Sequence, residues 1–282
     1  LTIDNSRLQL EKVNGEANSG RFTASGQADF GASFSLPEAR LNFVLEDFDF
    51  NYPPGLNSLS RASLTLTKSK SGWLLAGDLF IINASYLEDF YPSTQGLKMI
   101  FSRVSPAGSE MSPFLYELAL NINVRTIDNI VIKNNLADLE LKANLNIKGT
   151  VPTPVLSGRA ENAYTGEIII GERKYTVERL RVDFLGQENL EPNLDILLKS
   201  TVYDQQEELE VSLVLAGTPS DLRFSLTSNP TRSTEDLASL LLTGKSLKEV
   251  QGSALNTISG QLIQFFSSPL ASPVTRTLEK WL

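Results

Sequence analysis

The stretch Leu139–Gly149, "LELKANLNIKG", decides how the chain folds. Leu139, Leu141, Ala143, Leu145 and Ile147 alternate with Glu140, Lys142, Asn144, Asn146 and Lys148. Successive side chains of an extended chain point to opposite faces, so this alternation predicts a strand with one dry and one wet face. The same period recurs on either side. Upstream it carries Leu41, Phe43 and Leu45, then Leu64 and Leu66, then Trp73, Leu75, Leu79 and Ile81, then Leu118, Leu120, Ile122 and Val124. Downstream it carries Leu194, Ile196 and Leu198, then Leu209, Val211, Leu213 and Leu215, then Leu222, Phe224 and Leu226. About sixteen such strands fit into residues 1–228, joined by short Gly, Pro, Asn or Asp turns, with no helix long enough to interrupt them.

One-faced strands in unbroken succession must cover their apolar side with a second sheet, by closing into a barrel, or by folding the sheet over on itself. Gly26, Gly77, Gly149, Gly158 and Gly217 fall within or at the ends of these strands, where glycine marks bends and bulges. Repeated bends would curl a long meander lengthwise, and sixteen strands side by side extend about 75 Å. The expected fold is therefore mainly β: an elongated, curved sheet folded into a U-shaped trough. The same leucines also fit a closed sandwich in which they pack only on one another, because half-buried strands are the ordinary case.

After Ser228 the period becomes helical, which sets residues 229–282 apart as an amphipathic tail. In Ser233–Ser246, "STEDLASLLLTGKS", Ser233 or Thr234 caps a helix, Glu235 and Asp236 favour its positive end, and Leu237, Leu240 and Leu241 share a face. The closing Gly-Lys-Ser resembles a phosphate-binding loop, but such a loop needs a second glycine where Ser239 stands, and its glycine precedes a helix. Gly244 instead sits where helices stop. No nucleotide is expected. Leu247, Val250, Leu255, Ile258, Leu262, Phe265 and Phe266 then follow at helical spacing, with no charge between Glu249 and Arg276. This segment is too polar to span a bilayer; it reads either as a helix that meets a membrane or closes the trough, or as one that docks on the end of the sheet.

The 282 residues include no cysteine and no histidine. Cys and His nucleophiles, Cys- or His-ligated zinc and the commonest general base are thereby excluded, and no cofactor is expected. Glu46, Asp47 and Asp49 in "LEDFDF" suggest a calcium site or an acid–base pair, but alternation turns Phe48 and Phe50 inward and the charges to water. Tyr86, Phe90 and Tyr91 read as packing, and Asn83 in "NAS" as an idle acceptor motif in a bacterial chain. No enzyme is expected. A net charge of −8, with the acidic excess lying before Asn229, argues against nucleic acid. The chain opens in a strand-like pattern and closes at "LEKWL", which reads as a piece of a longer polypeptide.

The run from Tyr116 to Ser246 resembles the C-terminal conserved region of the TamB family, among the AsmA-like, bridge-like lipid transfer proteins. The resemblance rests on "NIKGTVPTPVLSGRA", "GEIIIGERKYTVERLRVDF", "EPNLDI" and "SNPTRSTEDLASLLLTGKS" in that order. It implies a β-taco in the bacterial periplasm, with the full-length chain anchored in the inner membrane. It also implies phospholipid as cargo and a TamA/BamA-type outer-membrane barrel as partner. Two functions follow as expectations. One is a phospholipid conduit, in which the alternating residues from Leu41 to Leu226, leaving aside Ala143 and the strand from Trp73 to Ile81, line the trough and shield acyl chains. The other is an outer-membrane protein assembly factor that engages its partner through a sheet edge or the tail.

Overall fold

Alternation over long runs commits the chain to strands, and a computed structural model describes residues 2–4, 7–30, 36, 38–51, 55–89, 112–170, 173–187 and 191–249. The strands are β1 (Thr2–Asp4), β2 (Arg7–Ala17), β3 (Gly20–Asp29), β4 (Glu38–Asn51), β5 (Leu56–Ser69) and β6 (Gly72–Tyr86). A one-turn helix α1 (Pro113–Glu117) leads into β7 (Leu118–Thr126), β8 (Ile130–Lys133), β9 (Ala137–Thr150), β10 (Pro154–Asn162) and β11 (Gly166–Ile170). Then come β12 (Arg173–Leu185), β13 (Asn193–Asp204), β14 (Glu207–Thr218), β15 (Asp221–Asn229) and helix α2 (Thr234–Thr243). All fifteen strands join one sheet, ordered β1 to β7, then β9, β10, β12, β13, β14 and β15. The fold is mainly β, as the alternation predicts.

The sheet is not a plain meander. β7 runs parallel to β6, pairing Trp73 with Leu118 and Ile81 with Thr126. A parallel neighbour needs a long crossover, and the connection after Tyr86, which ends in α1, supplies it. β8 and β11 lie off the main path. β8 continues the row of β7, pairing with the far ends of β6 and β9, and β11 likewise continues β10 between β9 and β12. Each is the second half of an interrupted strand.

Register carries the inward residues across the sheet in rungs. Leu41, Leu66, Leu75 and Leu120 face one another in sequence. The next rung holds Phe43, Leu64, Gly77, Ile122, Ile147 and Leu156. Where the alternation slips, a bulge restores it. Between Leu45 and Phe48 the ladder gains a residue, and Asp47 takes φ 52°, so that Leu45 and Phe48 both face inward. Phe48 and Phe50 then meet on that face with ring centroids 5.3 Å apart and planes tilted by 40°, while Glu46, Asp47 and Asp49 stay exposed.

Four glycines follow a rule that the register exposes. Gly26 lies on the rung of Leu41, Leu66 and Leu75; Gly77 is three strands on and one rung further. Gly158 is three strands beyond that and another rung along, in register with Leu145 and Val124. Gly217 repeats the step, opposite Leu194 on the rung of Val182 and Ala160. All four have positive φ. At Gly77, with φ 144°, a Cβ would stand 2.1 Å from the Ser63 carbonyl oxygen, so only glycine fits this close approach of two strands.

The outward face is held by polar ladders. Asn146 donates to Asn123, which donates to Asp78, and Arg159 clasps Asp183 through two nitrogens at 2.6 and 3.1 Å. Arg179 pairs Asp195 in the same two-pronged way. These bonds run across strands rather than along them, so they fix register on the wet side.

Candidate functional site

The inward face changes character along the sheet. In β2 to β6 the large inward side chains, among them Leu41, Phe43, Leu45, Leu64, Leu66, Leu75 and Leu79, are only half-buried; Val13 is exposed. What is buried between them is small: Ala24, Ala39, Ala62, Ala84 and Ser60. Leu120, Ile122, Leu141, Leu145 and Ile147 in β7 and β9 are likewise half-buried, whereas Leu118 and Val124 are covered.

From β11 onward the face is filled. Ile170, Tyr175, Val177, Ile196, Leu198, Val202, Leu209, Val211, Leu213, Leu215 and Leu226 form a buried cluster with Leu139. Helix α2 supplies the cover, placing Leu237, Ala238, Leu240 and Leu241 into the same cluster. Leu194, Leu222 and Phe224 pack at its margin. The candidate residues therefore divide. Those in β4, β5, β7 and β9 line a half-open apolar surface, apart from Leu118, Val124 and Leu139. Most of those in β13 to β15 form a closed core.

The sequence around α2 explains why it settles there. The Ser233 hydroxyl accepts from the Asp236 N–H, and Gly244, in the left-handed conformation at φ 71°, donates to the Leu240 carbonyl at 3.0 Å. Gly244 thus closes a helix rather than cradling phosphate. Arg232 ties the helix to the β13–β14 hairpin. Its guanidinium bonds Glu207, Asp204 at 3.1 Å and Asp236 at 3.4 Å, and the bond to Glu207 pushes it further above its ordinary range. The other Asp236 oxygen accepts from the Leu247 N–H at 2.8 Å, and Leu247 packs against the core. Val250, Leu255, Ile258, Leu262, Phe265 and Phe266 lie outside the described residues, as do Phe90 and Tyr91.

Polar chemistry on the inward face is sparse. Tyr175 is buried, its hydroxyl has no hydrogen-bond partner, and desolvation pushes its pKa up to about 12. Among the described residues no group of carboxylates is placed to hold a metal ion. No described helix is long and apolar enough to cross a membrane.

A half-open apolar face closed at one end by a capped helix is what the ordered motifs lead one to look for. The family model for the TamB C-terminal domain matches residues 11–280. The chain belongs to the TamB family. The match reaches well upstream of Tyr116, so β3 to β6 and most of β2 are part of the family's domain and not only similar to it in style. Membership brings a TamB-type role in outer-membrane assembly or lipid transport, in the bacterial envelope, within the translocation and assembly module in which TamB works with TamA. No curated protein sequence matches the chain.

Sequence reasoning missed part of the TamB-family surface. Leu10, Phe22, Leu156, Val182 and Phe184 share the inward register, yet in β3 the small residues Ala24, Gly26 and Ala28 blur the hydrophobic pattern. In β12 a register shift between Val177 and Arg179 breaks the period.

Proposed function

We propose that this TamB-family domain is a non-enzymatic conduit for phospholipid, with the sheet folded into a trough whose half-open apolar face in β2 to β10 shields acyl chains. The observation that carries this reading is the contrast within one sheet. Where the protein fills its own face, leucines such as Leu213 are buried; in β4 and β5 the same residue type on the same face of the sheet is left half-covered. Apolar surface left in water costs about 25 cal/mol per Å², and each acyl CH₂ placed against it contributes about 0.8 kcal/mol. Cargo therefore gains on this face what the core already has on the other. The function needs no cofactor and no catalytic group. It belongs in the periplasm, on a longer chain anchored in the inner membrane.

The test is to purify the domain from cells, extract it and measure bound phospholipid by mass spectrometry. Leu64→Asp and Phe43→Asp remove the lipid while circular dichroism stays β-rich. Purified wild-type protein free of phospholipid defeats the reading.

The sheet order favours a second reading. β15 forms an edge of the sheet, with Arg223 and Ser225 alternating against Leu222 and Phe224, and an edge strand can pair with a strand of a TamA/BamA-type barrel or of a nascent outer-membrane protein. A photocrosslinker at Arg223 or Ser225 then captures protein rather than lipid.

A further inference from the structure

The inward face of β3 to β7 bears one charged side chain in ladder register, Lys68, and it stands at the end of a strand. Along β5 the inward positions read Leu56, Ser58, Ser60, Ala62, Leu64 and Leu66 before reaching it. Lys68 pairs with Trp73 across the ladder, its ammonium lies 5.6 Å from the centroid of that ring, and it has no carboxylate partner among the described residues. Phe114 of α1 meets the same indole edge-on at 5.3 Å and is 39% exposed. The turn that joins β5 to β6 adds Lys70 and the hydroxyls of Ser69 and Ser71.

We propose that Lys68 and Trp73 form a binding site for the phosphodiester headgroup of a glycerophospholipid, at the rim of the apolar face. This rests on the conduit reading and adds to it a fixed station. An unpaired ammonium over an aromatic face is a poor core group but a good phosphate donor, because the cation–π contact orients it without neutralising it. Trp73 is the kind of side chain that sits where hydrocarbon gives way to water, and Phe114 extends its apolar side. The distance also suits a lipid. Five residues of strand at about 3.3 Å each reach roughly 16 Å from Lys68, past Leu66 and Leu64, against about 15 Å for one leaflet of hydrocarbon. A phosphate held at Lys68 thus lays its acyl chains over the half-covered leucines.

The indole of Trp73 reports on the site once Trp281, the chain's second tryptophan, is replaced by phenylalanine. In that background, detergent-dispersed phosphatidylglycerol and phosphate-free diacylglycerol are titrated against Trp73 emission. Lys68→Gln weakens phosphatidylglycerol binding about ten-fold, Lys68→Arg restores it, and diacylglycerol binding is the same in all three. Added salt erodes the Lys68-dependent part. Equal phosphatidylglycerol affinity in the parent and in Lys68→Gln, with both lipids bound, overturns the site and leaves the conduit standing. Inorganic phosphate alone giving the full Trp73 response at the same affinity also overturns it, since the ligand is then an ion and not a lipid. If the parent binds neither lipid, conduit and site fall together.

Discussion

Leu64 faces Gly77 across the β5–β6 ladder, and the Cβ that Gly77 lacks would stand 2.1 Å from the carbonyl oxygen of Ser63. The close approach of β5 and β6 at this point therefore depends on the absence of a single methyl group. Gly77→Ala is expected to cost more than about 1 kcal/mol, because its φ of 144° is strained for alanine and the contact is with backbone, which cannot rotate away. Urea denaturation followed by far-ultraviolet circular dichroism measures it, and Gly158→Ala, with 2.2 Å to the Asn144 carbonyl oxygen, should behave alike.

Two leucines on the same face of the sheet give different answers to the same substitution. Leu213→Ala empties a site in the buried core and should cost about 2–5 kcal/mol. Leu64→Ala removes a half-exposed side chain and should cost under about 2 kcal/mol. Equal losses in paired denaturation curves mean that the β5 face is covered after all.

Helix α2 is held by its cap as well as by its leucines. Ser233→Ala leaves the Asp236 N–H without its acceptor and should cost about 1 kcal/mol. Amide exchange locates the loss: protection should fall over Thr234–Thr243 and in β15, and stay unchanged in β3 to β6.

The Tyr175 hydroxyl gives a pH dependence of definite sign. Its pKa is raised in the folded chain to about 12, against about 10 for an unfolded tyrosine. Below about pH 10 both states keep the proton and the group contributes no pH dependence. As pH rises from about 10 to about 12 the unfolded chain ionises while the folded one does not, so stability falls and levels off once the folded value is passed. Tyr175→Phe should abolish that decline. It should also stabilise the protein by about 1 kcal/mol at neutral pH, because a buried hydroxyl without a partner is removed.

The sequence was most legible where alternation ran unbroken. Leu139–Gly149 named the inward face of β9 residue by residue, and Gly26, Gly77, Gly158 and Gly217 fall where a neighbouring backbone comes too close for a side chain. Bulges were the first obstacle. At Glu46–Asp47 and at Glu178–Arg179 the period skips, so a face that is continuous in space is discontinuous in the chain. The second obstacle was long-range pairing. Nothing local to Trp73 and Leu118 shows that their strands run side by side in the same direction. The third was coverage. Leu237, Leu240 and Leu241 read as one helix face, but alternation alone could not say that they would lie over Leu213 and Leu226 and leave Leu64 half-open. That division depends on where the helix lands, which is set by the cap at Ser233, the stop at Gly244 and the clasp of Arg232.

The spacing of Gly26, Gly77, Gly158 and Gly217 sets a handed geometry. Three strands at about 4.8 Å carry the line of glycines sideways while one rung of about 6.6 Å carries it along the strand, so it crosses the sheet at roughly 25°. The close approaches that only glycine permits are thus laid out obliquely to the strands, and the line of glycines stays in phase only if strands are added or lost in threes.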